Sequence, residues 1–224
     1  MPEYIASKRR LDLKIVYYGP ALSGKTTNLV QLHTLLHPQR KAELMVLETQ
    51  NDRTLFFDLL PIGLRSANGL DLRMKLYTVP GQVQHDSTRK AVLSRADGVI
   101  FVGDSVESQQ ENNAIAFDNL ADNLDKLGMA IERIPLVLQF NKRDASNVVP
   151  EHEVLARWRS TPWPDVAFAS AIQGKGVLET FRAVLTKLYP VLDSEFGLSR
   201  TESLDLDAFL RGLTGLEASA DAQL

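Results

Sequence analysis

Between residues 19 and 27 the chain reads Gly-Pro-Ala-Leu-Ser-Gly-Lys-Thr-Thr, the G-x-x-x-x-G-K-[ST] spacing of a phosphate-binding loop. No other stretch narrows the possible folds as much. Gly19 and Gly24 let the backbone curl with its N–H groups turned inward toward phosphate oxygens, along a path that a Cβ obstructs. The loop from Ala21, Leu22 and Ser23 through Gly24 to Thr27 is therefore assigned to the phosphates. Lys25 is expected to reach the β- and γ-phosphates, and the Thr26 hydroxyl to hold Mg²⁺.

The flanks agree with the motif. Leu11, Leu13, Ile15 and Val16 form a short β-rich run ending in Tyr17-Tyr18, and from Thr27 the residues Leu29, Leu32 and Leu35-Leu36 have helical spacing. The loop then lies between a buried strand and a helix N-terminus, where first-turn N–H groups and the helix dipole favour an anion.

Further strands are expected at Leu44 to Leu47, at Leu70 to Val79 (half-buried, apolar residues alternating with Asp71, Arg73, Lys75 and Tyr77), at Val99 to Val102, at Leu136 to Phe140 and at Val166 to Ala169. The strands at 44–47 and 70–79 are expected to pair antiparallel. Ile115, Leu120, Leu124 and Leu127 fit a helix, and Val177 to Leu192 a closing amphipathic one. Strands alternating with helices predict an α/β fold, a P-loop NTPase G domain: a mostly parallel central sheet with one antiparallel edge-side strand and helices on both faces. Ligands of such sheets sit at the carboxyl ends of the strands.

At 224 residues the chain can bury a full core. We read residues 1–192 as the G domain and 193–224 as an acidic extension. That extension carries seven acidic and two basic side chains, and Leu206, Phe209-Leu210, Leu213 and Leu216 could form a short amphipathic helix capped by Asp205 or Ser203, weakened by Gly212. Packing on the domain, docking on a partner and disorder are the three readings of it. The net charge of −3 argues against a general nucleic-acid surface, and the lack of cysteine excludes disulfides, thiolate metal sites and lipidation on sulfur. Pro2 excludes N-myristoylation. With no apolar run long enough to span a bilayer and no signal-peptide core, a cytoplasmic protein without a membrane anchor is expected.

Every other motif follows a strand. Asn141-Lys142-Arg143-Asp144 follows Leu136 to Phe140. The Asp144 carboxylate can accept from guanine N1–H and the 2-amino group, donors that adenine lacks, and sites built on such bonds reject analogues by up to about 10⁴ to 10⁵. Asn141 would tie this segment to the phosphate loop, and the Lys142 stem would lie over the base. Ser170-Ala171-Ile172 follows the last strand and matches the S-A-x loop that meets guanine O6. Thr78-Val79-Pro80-Gly81-Gln82 has the form of D-x-x-G-Q, with Gly81 N–H available to the γ-phosphate and Gln82 to an attacking water. Thr78 stands where an Asp ordinarily helps hold Mg²⁺, so another group is needed, and Asp52 and Asp58 are the candidates.

The set G-P-A-L-S-G-K-T-T-N, R-T-L-F-F-D (53–58), T-V-P-G-Q-V (78–83), F-V-G-D-S (101–105) and N-K-R-D (141–144) resembles the MglA family of bacterial Ras-like GTPases, over about Leu11 to Leu192. Thr in place of the usual Asp is part of that family's signature. The resemblance implies a GTP/GDP switch with Mg²⁺, governing cell polarity and gliding or twitching motility, and sited in the bacterial cytoplasm with possible placement at a pole. It further implies a Roadblock-domain activator of the MglB type, and motility or polarity effectors bound through the switch segments. It puts a built-in catalytic arginine at Arg53 and the switch threonine, a metal ligand, at Thr54, with Gln82 and Lys25 completing the catalytic set. In solvent, Arg53 is otherwise an ordinary surface arginine.

One position departs from the family. The third loop residue is usually Gly and here is Ala21, whose Cβ is expected near the γ-phosphate. If that methyl overpacks the site by about 1–3 kcal/mol, hydrolysis slows roughly five- to 150-fold, so a slow GTPase is expected. A GTP-bound scaffold with negligible hydrolysis and an ATP-using P-loop enzyme are the competing readings; Asp144 argues against the second.

Overall fold

The computed structural model describes residues 2–36, 41–48, 56–81, 86–158 and 163–215. Strand β2 (Arg10–Tyr18) lies at its centre, after a short β1 (Glu3–Ile5). Successive strand residues point to opposite faces. Leu11, Leu13, Ile15 and Tyr17 therefore enter one apolar layer while Val16 and Tyr18 enter the other, none more than 3% exposed. A strand apolar on both sides must be covered on both sides, which is the condition for a buried parallel sheet.

The described strands form one sheet in the order β3-β4-β5-β2-β6-β7-β8, with β3 (Met45–Glu48), β4 (Phe56–Arg65), β5 (Asp71–Thr78), β6 (Gly98–Asp104), β7 (Leu136–Asn141) and β8 (Asp165–Phe168). From β5 across to β8 every pairing is parallel. Helices α1 (Lys25–Leu35) and α5 (Val177–Phe196) cover one face. Helices α2 (Asp86–Leu93) and α3 (Gln110–Lys126) cover the other, and α4 (Glu151–Trp158) flanks β8.

The expected antiparallel pairing of 44–47 with 70–79 is corrected. The two strands do not touch: β4 lies between them and is antiparallel to both, with Leu59 opposite Met45 on one side and Tyr77 on the other. Pro61 and Gly63 hid this strand, since both break β patterns. In an antiparallel strand the N and C=O of a residue share one side, and the Pro61 carbonyl accepts from Ala42 N at 2.9 Å. The missing N–H of Pro61 thus faces away from β5 and costs no rung of that ladder. The expected helix is α3; Leu120 and Leu124 are buried on it, while Ile115 is 49% exposed.

The β4–β5 wing is closed by the C-terminal segment. After α6 (Leu198–Thr201), helix α7 (Leu206–Thr214) starts at Asp205, whose side chain accepts from Ala208 N at 2.7 Å. Phe209 and Leu213 are fully buried against α5 and β4. Gly212 suits this helix for a packing reason: a Cβ there would stand 2.8 Å from Leu64 Cδ2. Glu202 is held by Arg9 at 3.0 Å and by the Ser66 hydroxyl at 2.8 Å. No described helix is long and apolar enough to cross a membrane.

Candidate nucleotide site

The carboxyl ends of β2, β6, β7 and β8 meet along one edge, and the sequence motifs gather there. The join begins at Gly24, which caps α1 at φ 98°, in the left-handed region that favours glycine. Its missing side chain leaves room for Asn141, since a Cβ at 24 would stand 2.2 Å from Asn141 Nδ2. Asn141 uses that room twice: its Nδ2 donates to Ser23 O at 2.8 Å and its Oδ1 accepts from Ala171 N at 2.8 Å. One buried amide thereby links the phosphate loop, the N-K-R-D segment and the S-A-I segment.

Around it the base side is already framed. Ser170 Oγ donates to Asp144 Oδ1 at 2.5 Å, and Lys142 Nζ donates to Asp104 Oδ2 at 2.6 Å. Asp104 also accepts from Val106 N at 3.0 Å, so the end of β6 is fixed to the Lys142 stem. Arg143 turns away, stacking over Phe168 and donating to Val149 O at 2.7 Å. Ile172 stands exposed at the rim while Ala171 is buried.

The phosphate side is differently made. Lys25 is buried, and its Nζ donates to Gly19 O at 3.1 Å and Pro20 O at 2.6 Å. Burial pushes the Lys25 ammonium down to about 7; the nearby Arg89 cation adds to the push, and Asp58 opposes it. Thr26 Oγ1 donates to Asp58 Oδ2 at 2.5 Å, and Thr78 Oγ1 donates to the same oxygen at 3.1 Å while accepting from Asp58 N at 2.8 Å. So β4 delivers to the loop the carboxylate that Thr78 does not carry. Ala21 lies directly against Gly81, where a Cβ would stand 2.3 Å from Ala21 Cα.

The oxygens of Thr26 and Asp58 suit a hard dication such as Mg²⁺. Among the described residues no group of three or more His, Asp or Glu side chains could hold a metal. Mg²⁺ does not need one, because it keeps waters and binds through one or two side chains plus substrate phosphates.

No family model matches the chain. It is 44% identical over 178 residues to the mutual gliding-motility protein MglA of Myxococcus xanthus (strain DK1622), covering 80% of this chain and 91% of that protein. The chain belongs to the MglA family. It is a Ras-like small GTPase. More distant matches point the same way: ADP-ribosylation factor-like protein 6 of Caenorhabditis briggsae is 26% identical, and that of Caenorhabditis elegans 24%, each over 188 residues covering 82% of this chain and 90% of the relative.

For this MglA-family chain the structure brings together Gly19 through Thr27, Asp58, Gly81, Asn141, Lys142, Asp144, Ser170, Ala171 and Ile172. Arg53, Thr54, Gln82 and the alternative Asp52 lie outside the described residues. Within the segment around Leu55-Phe56-Phe57, Phe56 opens β4. Two neighbouring residues received no role from the sequence: Asp104, although it lies within the quoted F-V-G-D-S, and Arg89. Asp104 could have been found from its place at the carboxyl end of a strand. Arg89 carried no signal, being one basic residue beside Lys90 in a polar helix.

Proposed function

We propose that the groove along these strand ends binds GTP and GDP with Mg²⁺, and that the chain works as a slowly hydrolysing switch in cell polarity and motility. The observation that carries the reading is the Asn141 amide joining Gly24, Ser23 and Ala171, because it serves a ligand that has phosphates at one end and guanine at the other. Asp144, steadied by Ser170, accepts from the guanine edge; the Lys142 stem covers the base; the Ala171 N–H and the exposed Ile172 bound its far side.

At the other end the loop N–H groups and Lys25 take the phosphates. Thr26 and Asp58, with Thr54 from the neighbouring segment, are the residues that would hold Mg²⁺, which when bound supplies charge neutralisation between the β- and γ-phosphates. Water attacks the γ-phosphoryl, giving GDP and phosphate. Gln82 orients that water and Arg53 neutralises charge on the transferring group, a role worth about 10³ to 10⁵ in rate for such arginines. Ala21, seated on Gly81, keeps the step slow.

Loss of the γ-phosphate releases the contacts of Thr54 and Gly81, and the surface they carry changes. A Roadblock-domain activator of the MglB type and motility or polarity effectors are the partners proposed for that surface. The gliding-motility name of the Myxococcus relative supports this assignment. A cytoplasmic protein collecting at a cell pole is the matching location.

The test is mass-spectrometric identification of the nucleotide that co-purifies with the full chain, followed by titration with fluorescent GDP, GTP and ATP. Guanine nucleotide with ATP excluded is expected; ATP binding as tight as GTP, or no nucleotide binding, overturns the reading.

A further inference from the structure

Strand β4 brings Asp58 to Thr26 and Thr78, yet little in its own sequence fixes where it lies. Pro61 has no N–H to add to a ladder, and Gly63 has no side chain to pack. On the side away from β5, β3 pairs only with Phe56 to Leu59, followed by a single bridge from Lys41 to Ile62. Among the described residues no strand meets that edge from Gly63 to Arg65.

The C-terminal segment takes over at that end. Side chains alternate along a strand, so Asp58, Leu60, Ile62 and Leu64 share one face, and all four are buried. Helix α7 packs on the last of them: a Cβ at Gly212 would stand 2.8 Å from Leu64 Cδ2 and 3.6 Å from its Cβ and Cγ. The turn that follows β4 is clasped as well. Ser66 Oγ accepts from Leu70 N at 2.9 Å and donates to Glu202 Oε2 at 2.8 Å, and Asn68 Nδ2 donates to Thr201 O at 2.7 Å. Arg9, which donates to Glu202 at 3.0 Å, accepts from Asp71 N through its carbonyl at 2.9 Å. The strap is itself anchored on α5, where the Tyr189 hydroxyl donates to Leu204 O at 3.0 Å and the Tyr189 ring lies 5.5 Å from that of Phe209.

We propose that this strap is a positioning element for the nucleotide site: by gripping Leu64 and Ser66 it sets β4 along its length, and with it the Asp58 carboxylate at the other end. Six residues separate the two positions, about 20 Å of extended chain. A strand laddered onto β5 does not stretch, so a displacement at Leu64 reaches Asp58. The tolerance there is small. Asp58 Oδ2 receives hydroxyls at 2.5 and 3.1 Å, and binding geometry is lost with shifts of about 0.5 Å. The inference rests on the reading of Asp58 as a Mg²⁺-side group of a guanine-nucleotide site. It gives the chain beyond α5 a part in nucleotide retention, exerted through β4 and without contact with the ligand.

The experiment uses the full chain as wild type, Gly212→Leu, Glu202→Ala and Asp58→Ala, together with Gly212→Leu combined with Leu64→Ala and with Asp58→Ala. Release of fluorescent GDP is followed by stopped flow in Mg²⁺ and in EDTA. Amide exchange of residues 56–60 is measured by mass spectrometry on nucleotide-free protein. Leucine favours the helix while wedging it away from Leu64. Gly212→Leu is expected to speed release about tenfold in Mg²⁺ and no more than about twofold in EDTA, as for a group that supports a metal ligand. Exchange should rise at 56–60 and not in β2. Glu202→Ala should act in the same direction. Leu64→Ala makes room for the leucine and restores slow release. Asp58→Ala gains nothing from Gly212→Leu, because the two changes act through one carboxylate. Equal acceleration in Mg²⁺ and EDTA, effects that add to those of Asp58→Ala, or unchanged release and exchange would reduce the strap to packing and overturn the proposal. If Gly212→Leu does not fold, Glu202→Ala decides by the same criteria. Wild type that binds no GDP refutes the underlying reading instead.

Discussion

The two ends of the proposed nucleotide site are built on different principles. At the base end the polar groups are already paired: Asn141 bridges two segments, Ser170 holds Asp144, and Asp104 holds Lys142. At the phosphate end Lys25 donates to two carbonyls of its own loop, and the buried Arg89 guanidinium stacks over the Tyr18 ring. A neutral hydrogen-bonded frame can be completed by the protein and remain ready for a ligand. A cationic cradle cannot be balanced internally without losing the charge that attracts phosphate. In the proposed reading the base end is thus preorganised, whereas at the other end Lys25 exchanges loop carbonyls for phosphate oxygens when the nucleotide binds.

Breaking the base half should have the largest effect. Asp144→Asn replaces one acceptor with a donor against the guanine edge, and GTP and GDP affinity should fall by about 10³-fold or more in a fluorescent-nucleotide titration. A change below tenfold would mean that the frame does not read guanine.

On the phosphate side, Ala21→Gly removes the methyl beside Gly81. Single-turnover GTP hydrolysis should rise roughly five- to 150-fold; equal rates with and without a Roadblock-type activator would remove Ala21 from the account. Asp58→Ala should accelerate nucleotide release by about 10- to 100-fold when Mg²⁺ is present and change it little in EDTA. An equal acceleration in both conditions would assign Asp58 a structural part only.

The smallest effect sharpens the contrast in charge. Lys25 is held down to about 7 by burial first and by Arg89 next, and bound phosphates are expected to raise it. Binding therefore takes up a proton, and affinity is highest below about pH 7 and declines as pH rises through the window above it, by at most about tenfold per pH unit. Isothermal titration in two buffers of different ionisation enthalpy should show proton uptake near pH 8. No uptake would place the Lys25 ammonium at its ordinary value.

Much of this was legible before folding. The spacing of Gly19, Gly24, Lys25 and Thr26 dictated a strand, a loop and a helix, because those residue types are needed at fixed backbone positions. The order of Asn141 and Ser170 after strand-like runs followed from the rule that parallel sheets bind at their carboxyl ends. Local chemistry of this kind is written in adjacent residues.

What lay beyond the sequence depended on distant contacts. Pro61 disguised β4 as a loop because its harmlessness rests on which side of the strand faces β5, a matter of pairing and not of propensity. Asp58 and Asp52 were equal candidates in sequence; β4 placed Asp58 against Thr26 and Thr78. For the tail, sequence left three readings open; residues 193–215 pack on the domain, with Phe209 and Leu213 buried over β4 and Gly212 fitted to Leu64, while Leu216 lies outside the described residues. Arg89 is the extreme case: its identity is unremarkable in a polar helix, and only the packing of α2 against Tyr18 turns it into a buried cation stacked on an aromatic ring. Motifs specify what a residue can do to a ligand, while burial and charge balance arise from residues far apart in the chain and exist only once the chain has folded.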